Sequence, residues 1–436
     1  MKSHIRSLVM LACIAALTLT AVGQTDWPVP SNNNNNGILH NAYIRHVDRT
    51  VLGEDVAHYR FDVVVGKGQF DQIRLHRIVR EKHPWQPVHT VTGVVLFPGS
   101  PNSFEMIFME PQISQVPAWD QSITAFFAKH NIDVWGMDYR WALVPADTTD
   151  FNFMKTWGLQ RDVDDAKIAV SLARLIRGST GQGFGQLPVL GFSYGTFMAY
   201  SMANQETQLP RILRNVNGLI LADWAITLAP GSPLRQDMCD LIPGVQALYD
   251  AGIYNEDNSA TALIADLARN APDAPSQFAD GFTNYQFALF VGASVLYAPS
   301  WHFVAGVFDE NGISTGLQYT DPQVWIDVLH AIPTYFPVKS DLDADGLGCY
   351  SIVPPFDDHL KKIKLPILYV GTAGGAGKEG YYAVNRTGST DVTKFTIQLH
   401  PDDEATLDFG HADLFTATNA ETLVWHPMLN WLISHP

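Results

Sequence analysis

The run Leu187-Pro188-Val189-Leu190-Gly191-Phe192-Ser193-Tyr194-Gly195 makes the architecture of this chain most legible. Four apolar residues suited to a buried strand lead into Gly-x-Ser-x-Gly. Thr196-Phe197-Met198-Ala199-Tyr200-Ser201-Met202-Ala203 beyond it reads as a helix. Strand, tight turn and helix in that order hold a serine in a strained backbone conformation with its hydroxyl exposed. Gly191 and Gly195 suit a crossing too close for a Cβ. The helix N-terminus behind Ser193 favours negative charge that develops during attack on a carbonyl. The spacing predicts a nucleophile at Ser193, against the plainer reading of an ordinary turn serine.

Working outward, short apolar runs alternate with helical spacing. Gly93–Phe97, Ile132–Trp135 and Gly218–Ala222 read as buried strands, as do Ile367–Val370 and Phe395–Leu399. Val163, Ala166, Val170, Ala173 and Ile176 recur at helical intervals, with Asp162, Asp164 and Asp165 in the first turn and Arg174 and Arg177 in the last. Such alternation predicts a parallel sheet covered on both faces. Before it, His58–Val65 and Gln72–Val79 alternate with period two around Gly66-Lys67-Gly68, the pattern of an antiparallel hairpin at a sheet edge. Residues 228–360 break the rhythm. They hold 17 acids and, as bases, only Arg235, Arg269 and Lys339. An insert between two core strands reads as a cap, largely helical.

The Gly191–Gly195 motif in its setting resembles the α/β-hydrolase superfamily over residues 92–227 and 361–436. The resemblance implies a mostly parallel, eight-stranded sheet flanked by helices and a triad in chain order serine, acid, histidine. The expected division is residues 1–23, 24–57, 58–227, 228–360 and 361–436: signal peptide, N-terminal extension with its asparagine spacer, first core part, cap and second core part. His411, in Asp408-Phe409-Gly410-His411-Ala412-Asp413, follows the last strand, where the family places its general base. The usual acid position falls in Gly371-Thr372-Ala373-Gly374-Gly375-Ala376, which has no carboxylate before Glu379. Asp223, at the end of the strand after the nucleophile helix, is therefore the expected acid, as in some family members, with Glu379 as the alternative. A buried carboxylate needs a partner, and His411 supplies one. The oxyanion hole implied by the family would take its two N–H donors from Tyr194 and Ser100; Pro101 has none. Pro98 stands where relatives often have histidine, which leaves that loop's anchoring open. Asp138 and Arg140, in Gly136-Met137-Asp138-Tyr139-Arg140-Trp141, read as loop braces.

Composition bounds the rest. The chain has 436 residues, 46% hydrophobic and 11% aromatic, which excludes a disordered or collagen-like chain. Lys plus Arg number 28 against 44 Asp plus Glu, a formal charge of −16, so nucleic acid is not the expected partner. Lys2 and Arg6, the apolar run Leu8–Val22 and Ala21-Val22-Gly23 read as an export signal cleaved before Gln24, giving a secreted or periplasmic product. No later stretch is long enough to span a membrane stably; Phe287–Ala298 suits a buried helix. Cys239 and Cys349 then remain, read either as a disulfide or as two buried thiols. Asp341-Leu342-Asp343-Ala344-Asp345-Gly346 reproduces the first half of a calcium loop. Its twelfth position is Ile352, which excludes a full EF-hand and leaves an Asp-rich surface turn or a structural calcium completed by other acids. No cofactor is expected for catalysis. The expected activity is hydrolysis of a neutral carboxylic ester or lactone, because the acidic insert repels anions. An acyltransferase or peptidase on the same triad, a cofactor-free haloperoxidase-like enzyme and a non-catalytic binding protein are the competing readings.

Overall fold

The computed structural model describes residues 42–350 and 352–436; the expected export signal and the asparagine spacer lie outside them. Strands β1 (Tyr43–Gly53), β2 (Val56–Val64), β3 (Gln72–His83), β4 (Thr92–Phe97) and β5 (Ile132–Asp138) precede the serine motif. β6 (Leu187–Phe192), β7 (Val216–Ala222), β8 (Ile367–Thr372) and β9 (Val392–Ile397) complete the main sheet. Their spatial order is β1-β2-β3-β5-β4-β6-β7-β8-β9, and Gln86–Pro87 pairs as a tenth, two-residue strand with the end of β3. β1, β2, β3 and β5 pair antiparallel in turn. From β5 to β9 every pairing is parallel. The sheet is mostly parallel, as expected, but has more than eight strands. Besides the two-residue strand, the addition is β1, in the segment read as an extension. It pairs with β2 alone and most of its side chains are exposed, so it carries no buried-face alternation.

The parallel strands β4, β5 and β6 are buried at every residue because helices cover both faces. One apolar cluster includes Trp135, Met137, Val189 and Phe197. Another includes Val94, Leu96, Val134 and Leu190. Alternate residues of one strand thus feed opposite layers. Two arginines that enter this core share one carboxylate: Arg77 grips Asp133 at 2.9 and 2.8 Å, and Arg177 Nε reaches it at 3.2 Å.

Helix α1 (Leu159–Ser179) crosses before β6, and α2 (Tyr194–Glu206) follows it. Between β7 and β8 come α3 (Pro233–Asp250), α4 (Ser259–Asn270), α5 (Asn284–Ala293), α6 (Pro322–Ala331) and α7 (Val338–Cys349). Two small two-stranded sheets accompany them, Asn255–Asp257 with Tyr335–Pro337 and Gly306–Phe308 with Ser314–Leu317. The run expected as a helix over Phe287–Ala298 starts earlier, because Thr283 and Gln286 form a capping box, and ends at Ala293. Cys239 on α3 and Cys349 on α7 form a disulfide, S–S 2.07 Å, across a separation of 110 residues. Closing so long a loop contributes about 4–5 kcal/mol in the chain-entropy picture. No helix among the described residues is long and apolar enough to cross a membrane.

Candidate active site

Ser193 sits between β6 and α2 with φ 52° and ψ −120°, a left-handed conformation that serine rarely adopts. Such a residue costs about 1–3 kcal/mol, which the surroundings must hold in place. Three contacts do so. A Cβ on Gly191 would lie 2.2 Å from Gly195 O, and one on Gly195 would lie 2.1 Å from Phe97 O. Ser193 N donates to Ala222 O at 3.1 Å, tying the turn to β7. The turn is cramped where both glycines stand, and Ser193 remains partly exposed.

Asp223 leaves β7 with the same φ of 52° and is fully buried. Its carboxylate accepts from Thr372 N (2.8 Å), Thr372 Oγ1 (3.0 Å), Ala376 N (3.1 Å) and Gly377 N (3.0 Å). His411 Nδ1 donates to Oδ2 at 2.7 Å. The glycine-rich segment after β8 therefore supplies amides to the acid of the neighbouring strand. A Cβ on Gly375 would lie 1.9 Å from Asp223 Oδ2, which accounts for glycine there. Glu379 lies in the turn Gly377–Gly380, and its carboxylate is not among the partners of His411.

The His411 ring stacks on Phe192, the residue before Ser193, at a centroid distance of 4.5 Å. Trp301 (4.8 Å) and Trp224 (6.1 Å) close around it. Its Nε2 is buried and has no hydrogen-bond partner. With Nδ1 donating to a carboxylate, Nε2 is the basic nitrogen. Serine, acid and imidazole thus gather at the C-terminal ends of β6, β7 and the segment after β9.

The loop after β4 lies against Ser193: a Cβ on Gly99 would come 2.7 Å from Ser193 Cβ and 3.2 Å from its Oγ. Ser100 follows in this turn, which closes with Asn102 N donating to Gly99 O at 3.0 Å. Tyr139 Oη donates to Pro98 O at 3.2 Å, anchoring the loop without the histidine. Tyr194 opens α2, and a first-turn amide has no partner within its helix. Asp138 takes Phe104 N at 2.6 Å and His76 Nε2 at 3.0 Å, and Arg140 pairs with Asp165 and Asp71. Both brace loops.

Two supporting residues were not part of the expected site. Asp162 turns inward rather than toward the helix dipole and accepts from Tyr194 Oη (2.7 Å) and Ser340 Oγ (3.1 Å). Burial pushes its carboxyl up to about 7, and the two hydroxyl donors oppose the shift. It joins the nucleophile turn to α7 of the insert. His302 is buried between two carbonyl oxygens, Ser300 O at 2.7 Å from Nδ1 and Asp408 O at 2.9 Å from Nε2. Carbonyls only accept, so whichever ring nitrogen carries a proton donates. His302 N donates to Gly374 O (2.8 Å) and its own carbonyl accepts His411 N (2.9 Å). One residue of the insert thus staples the loop around Asp223 to the loop bearing His411. A Cβ on Gly374 would lie 2.3 Å from the His302 ring, a glycine signal that could have pointed to it.

The loop conformation expected of Asp341–Gly346 is corrected. Asp341, Asp343 and Asp345 lie inside α7, not in a loop. A helical period turns Asp343 away from the other two. Asp343 instead pairs with Lys339 and accepts Leu159 N at 3.1 Å. Residues on alternate positions of a helix cannot surround one ion as a calcium loop does.

A proposed lipase from Sulfolobus solfataricus is similar in structure, with a TM-score of 0.60 and 18% identity over 90% of this chain and all of that one. A soluble variant of monoglyceride lipase from Saccharomyces cerevisiae, solved with a substrate analogue, gives a TM-score of 0.44 and 10% identity over 93% and 99% of the two chains. A thermophilic esterase from Thermogutta terrifontis gives 0.43 and 13% over 86% and 99%. No family model and no curated protein sequence matches the chain.

Proposed function

We propose that this chain, which has the α/β-hydrolase fold, is a serine hydrolase acting on a carboxylic ester or lactone that bears no negative charge. The observation that carries the reading is the His411 ring, bound to Asp223 through Nδ1, stacked on Phe192, the residue before Ser193, and left with an unpartnered Nε2. Nε2 takes the Ser193 proton as Oγ attacks the carbonyl, and Asp223 holds the tautomer and stabilises the imidazolium that forms. The Tyr194 and Ser100 amides receive the oxyanion. The tetrahedral intermediate expels the alcohol with the proton from His411, and water then releases the acid by the same steps in reverse. Residues 228–360 stand as the cap over this site. The Cys239–Cys349 disulfide supports an oxidising destination, secreted or periplasmic.

A fluorophosphonate probe tests the reading. Labelling is expected at Ser193 and absent in Ser193→Ala, with hydrolysis of short p-nitrophenyl esters lost in parallel. A wild-type protein that hydrolyses nothing and takes no label at Ser193 would end it.

A further inference from the structure

The end of the sheet away from Ser193 carries charge opposite to that of the whole chain. Strands β6, β7 and β8 are parallel neighbours, so the segments that lead into them meet at one end. Those segments bear Arg174, Arg211, Arg214, Lys361, Lys362 and Lys364. None of these bases forms an ion pair with a described residue. Arg174 donates to Phe184 O at 2.9 Å and Arg214 O at 3.2 Å, Arg214 to Leu209 O at 3.0 Å, and Lys362 to Gln208 Oε1 at 3.3 Å. Every acceptor is neutral, and the same bonds join the three segments into one surface. Between Asp165 and Asp223 the sequence has a single acid, Glu206. It is buried and holds Asn215 N at 2.9 Å and Val216 N at 3.1 Å. Asp358 and Asp391, at the same end, face His359 and His435. In a chain of formal charge −16, bases without a counter-charge, gathered at one end, call for an anionic partner.

The same surface holds large apolar side chains in water. Ile212 is 86% exposed, Leu213 and Phe184 59%, Leu175 58% and Leu209 42%. Ile212 and Leu213 lie on the turn Arg211–Leu213, none of whose residues is buried. Phe184 lies across Gly178 in the last turn of α1, where a Cβ would come 2.2 Å from its ring, and its carbonyl takes Arg174. Single apolar residues scattered on a surface need no explanation, but a group of them among unpaired bases marks a contact surface.

Charge and shape together select the occupant. A polyanion or a lone phosphate would meet the bases and leave the apolar side chains in water. An apolar protein groove would meet those side chains and leave the bases unpaired. A bilayer with anionic headgroups meets both: the apolar tips enter the interface while lysine and arginine heads stay at the level of the phosphates. Tips that project from separate turns also suit a yielding surface better than a preformed pocket.

We infer that this end of the protein docks on a bilayer bearing anionic headgroups, with Ile212, Leu213 and Phe184 entering the interface and the surrounding bases meeting phosphates. The inference is independent of the hydrolase reading. Ser193 and Asp223 leave the opposite, C-terminal ends of β6 and β7, so the docked protein turns that site toward the water.

The test is co-sedimentation of the protein with vesicles of mixed phosphatidylglycerol and phosphatidylcholine, against vesicles of phosphatidylcholine alone. The anionic vesicles should bind about tenfold more tightly or better, and the difference should shrink as salt rises. Ile212→Ser with Leu213→Ser, and separately Arg211→Gln with Lys361→Gln, should each weaken binding about tenfold. The melting temperature should not change, because all four side chains are exposed. An environment-sensitive fluorophore on Ile212→Cys should shift to the blue when vesicles are added, and one on Asp403→Cys, past the C-terminal end of β9, should not. Equal binding to both kinds of vesicle, or none, overturns the inference. So does binding that survives both double substitutions, or an equal shift at Asp403→Cys. Self-association without vesicles that Ile212→Ser abolishes would also overturn it, by giving the face to a second copy of this chain.

Discussion

Replacing Asp223 by asparagine separates the two candidate acids and can be worked through atom by atom. Oδ1 receives two backbone amides, from Thr372 and Gly377. Oδ2 receives the Ala376 amide, the Thr372 hydroxyl and His411 Nδ1. An asparagine must put its NH2 at one of these places. At the Oδ1 position it faces two N–H groups that cannot turn away. At the Oδ2 position it faces one, since the hydroxyl can rotate and the imidazole can change tautomer. The second orientation is cheaper, with one buried amide left unsatisfied at about 1–3 kcal/mol of stability. It forces Nδ1 to accept, so the ring proton moves to Nε2 and His411 can no longer take the Ser193 proton. A wrong tautomer of this kind lowers kcat by about 10⁴, roughly 5 kcal/mol of barrier. The assay is kcat on a short p-nitrophenyl ester, with thermal melting in parallel to show that the fold survives. Glu379→Gln, whose side chain does not touch His411, should stay within about twofold of wild type. Asp223→Asn within tenfold of wild type, or an equal loss in both variants, would refute the assignment.

Other expectations follow from the same shell. Gly375→Ala places a methyl where the Asp223 carboxylate lies; it should lower kcat on that p-nitrophenyl ester more than tenfold, and unchanged turnover would show that the loop gives way freely. His302→Ala removes the ring that lies between two buried carbonyl oxygens, leaving at least one acceptor without its donor at about 1–3 kcal/mol. It should lower the melting temperature and kcat with little change in KM, and a loss confined to KM would count against a positioning role. Asp162 has a folded-state pKa raised to about 7, so the folded protein binds a proton there that the unfolded chain has already released. That lowers stability as pH climbs between about 4 and 7. Asp162→Asn should flatten this part of the stability profile measured by melting, and a profile identical to wild type would sink the account.

The parts of the fold that were legible are those where local geometry leaves little choice. Gly191 and Gly195 stand where any side chain would strike backbone atoms, so the serine turn shows in the sequence itself. The buried strands β4 to β8 show as apolar runs because both faces are covered. β1 was not legible because both its faces lie largely in water, and hydrogen bonds to β2, which any residue can make, are what place it. The acid was half legible. Asp223 showed as a carboxylate at a strand end, but the glycines after β8 looked only like a missing acid. Their meaning is that a neighbouring strand's carboxylate occupies the space their side chains would fill.

The hardest pattern was Asp341-Leu342-Asp343-Ala344-Asp345-Gly346, because alternate acids suit either a cation loop or a helix that divides them between two faces. What decides is apolar burial nearby: Val338, Ala344 and Leu347 sink into the core, and that packing requires the helix. Once helical, Asp343 faces Lys339 and the start of α1, while Asp341 and Asp345, one turn apart, share another face. Tertiary contact thus divides one sequence motif between two faces, one of them an ion pair. The helix belongs with the catalytic residues because Asp162, itself buried and shared between Tyr194 and Ser340, fastens α7 to the turn that carries Ser193.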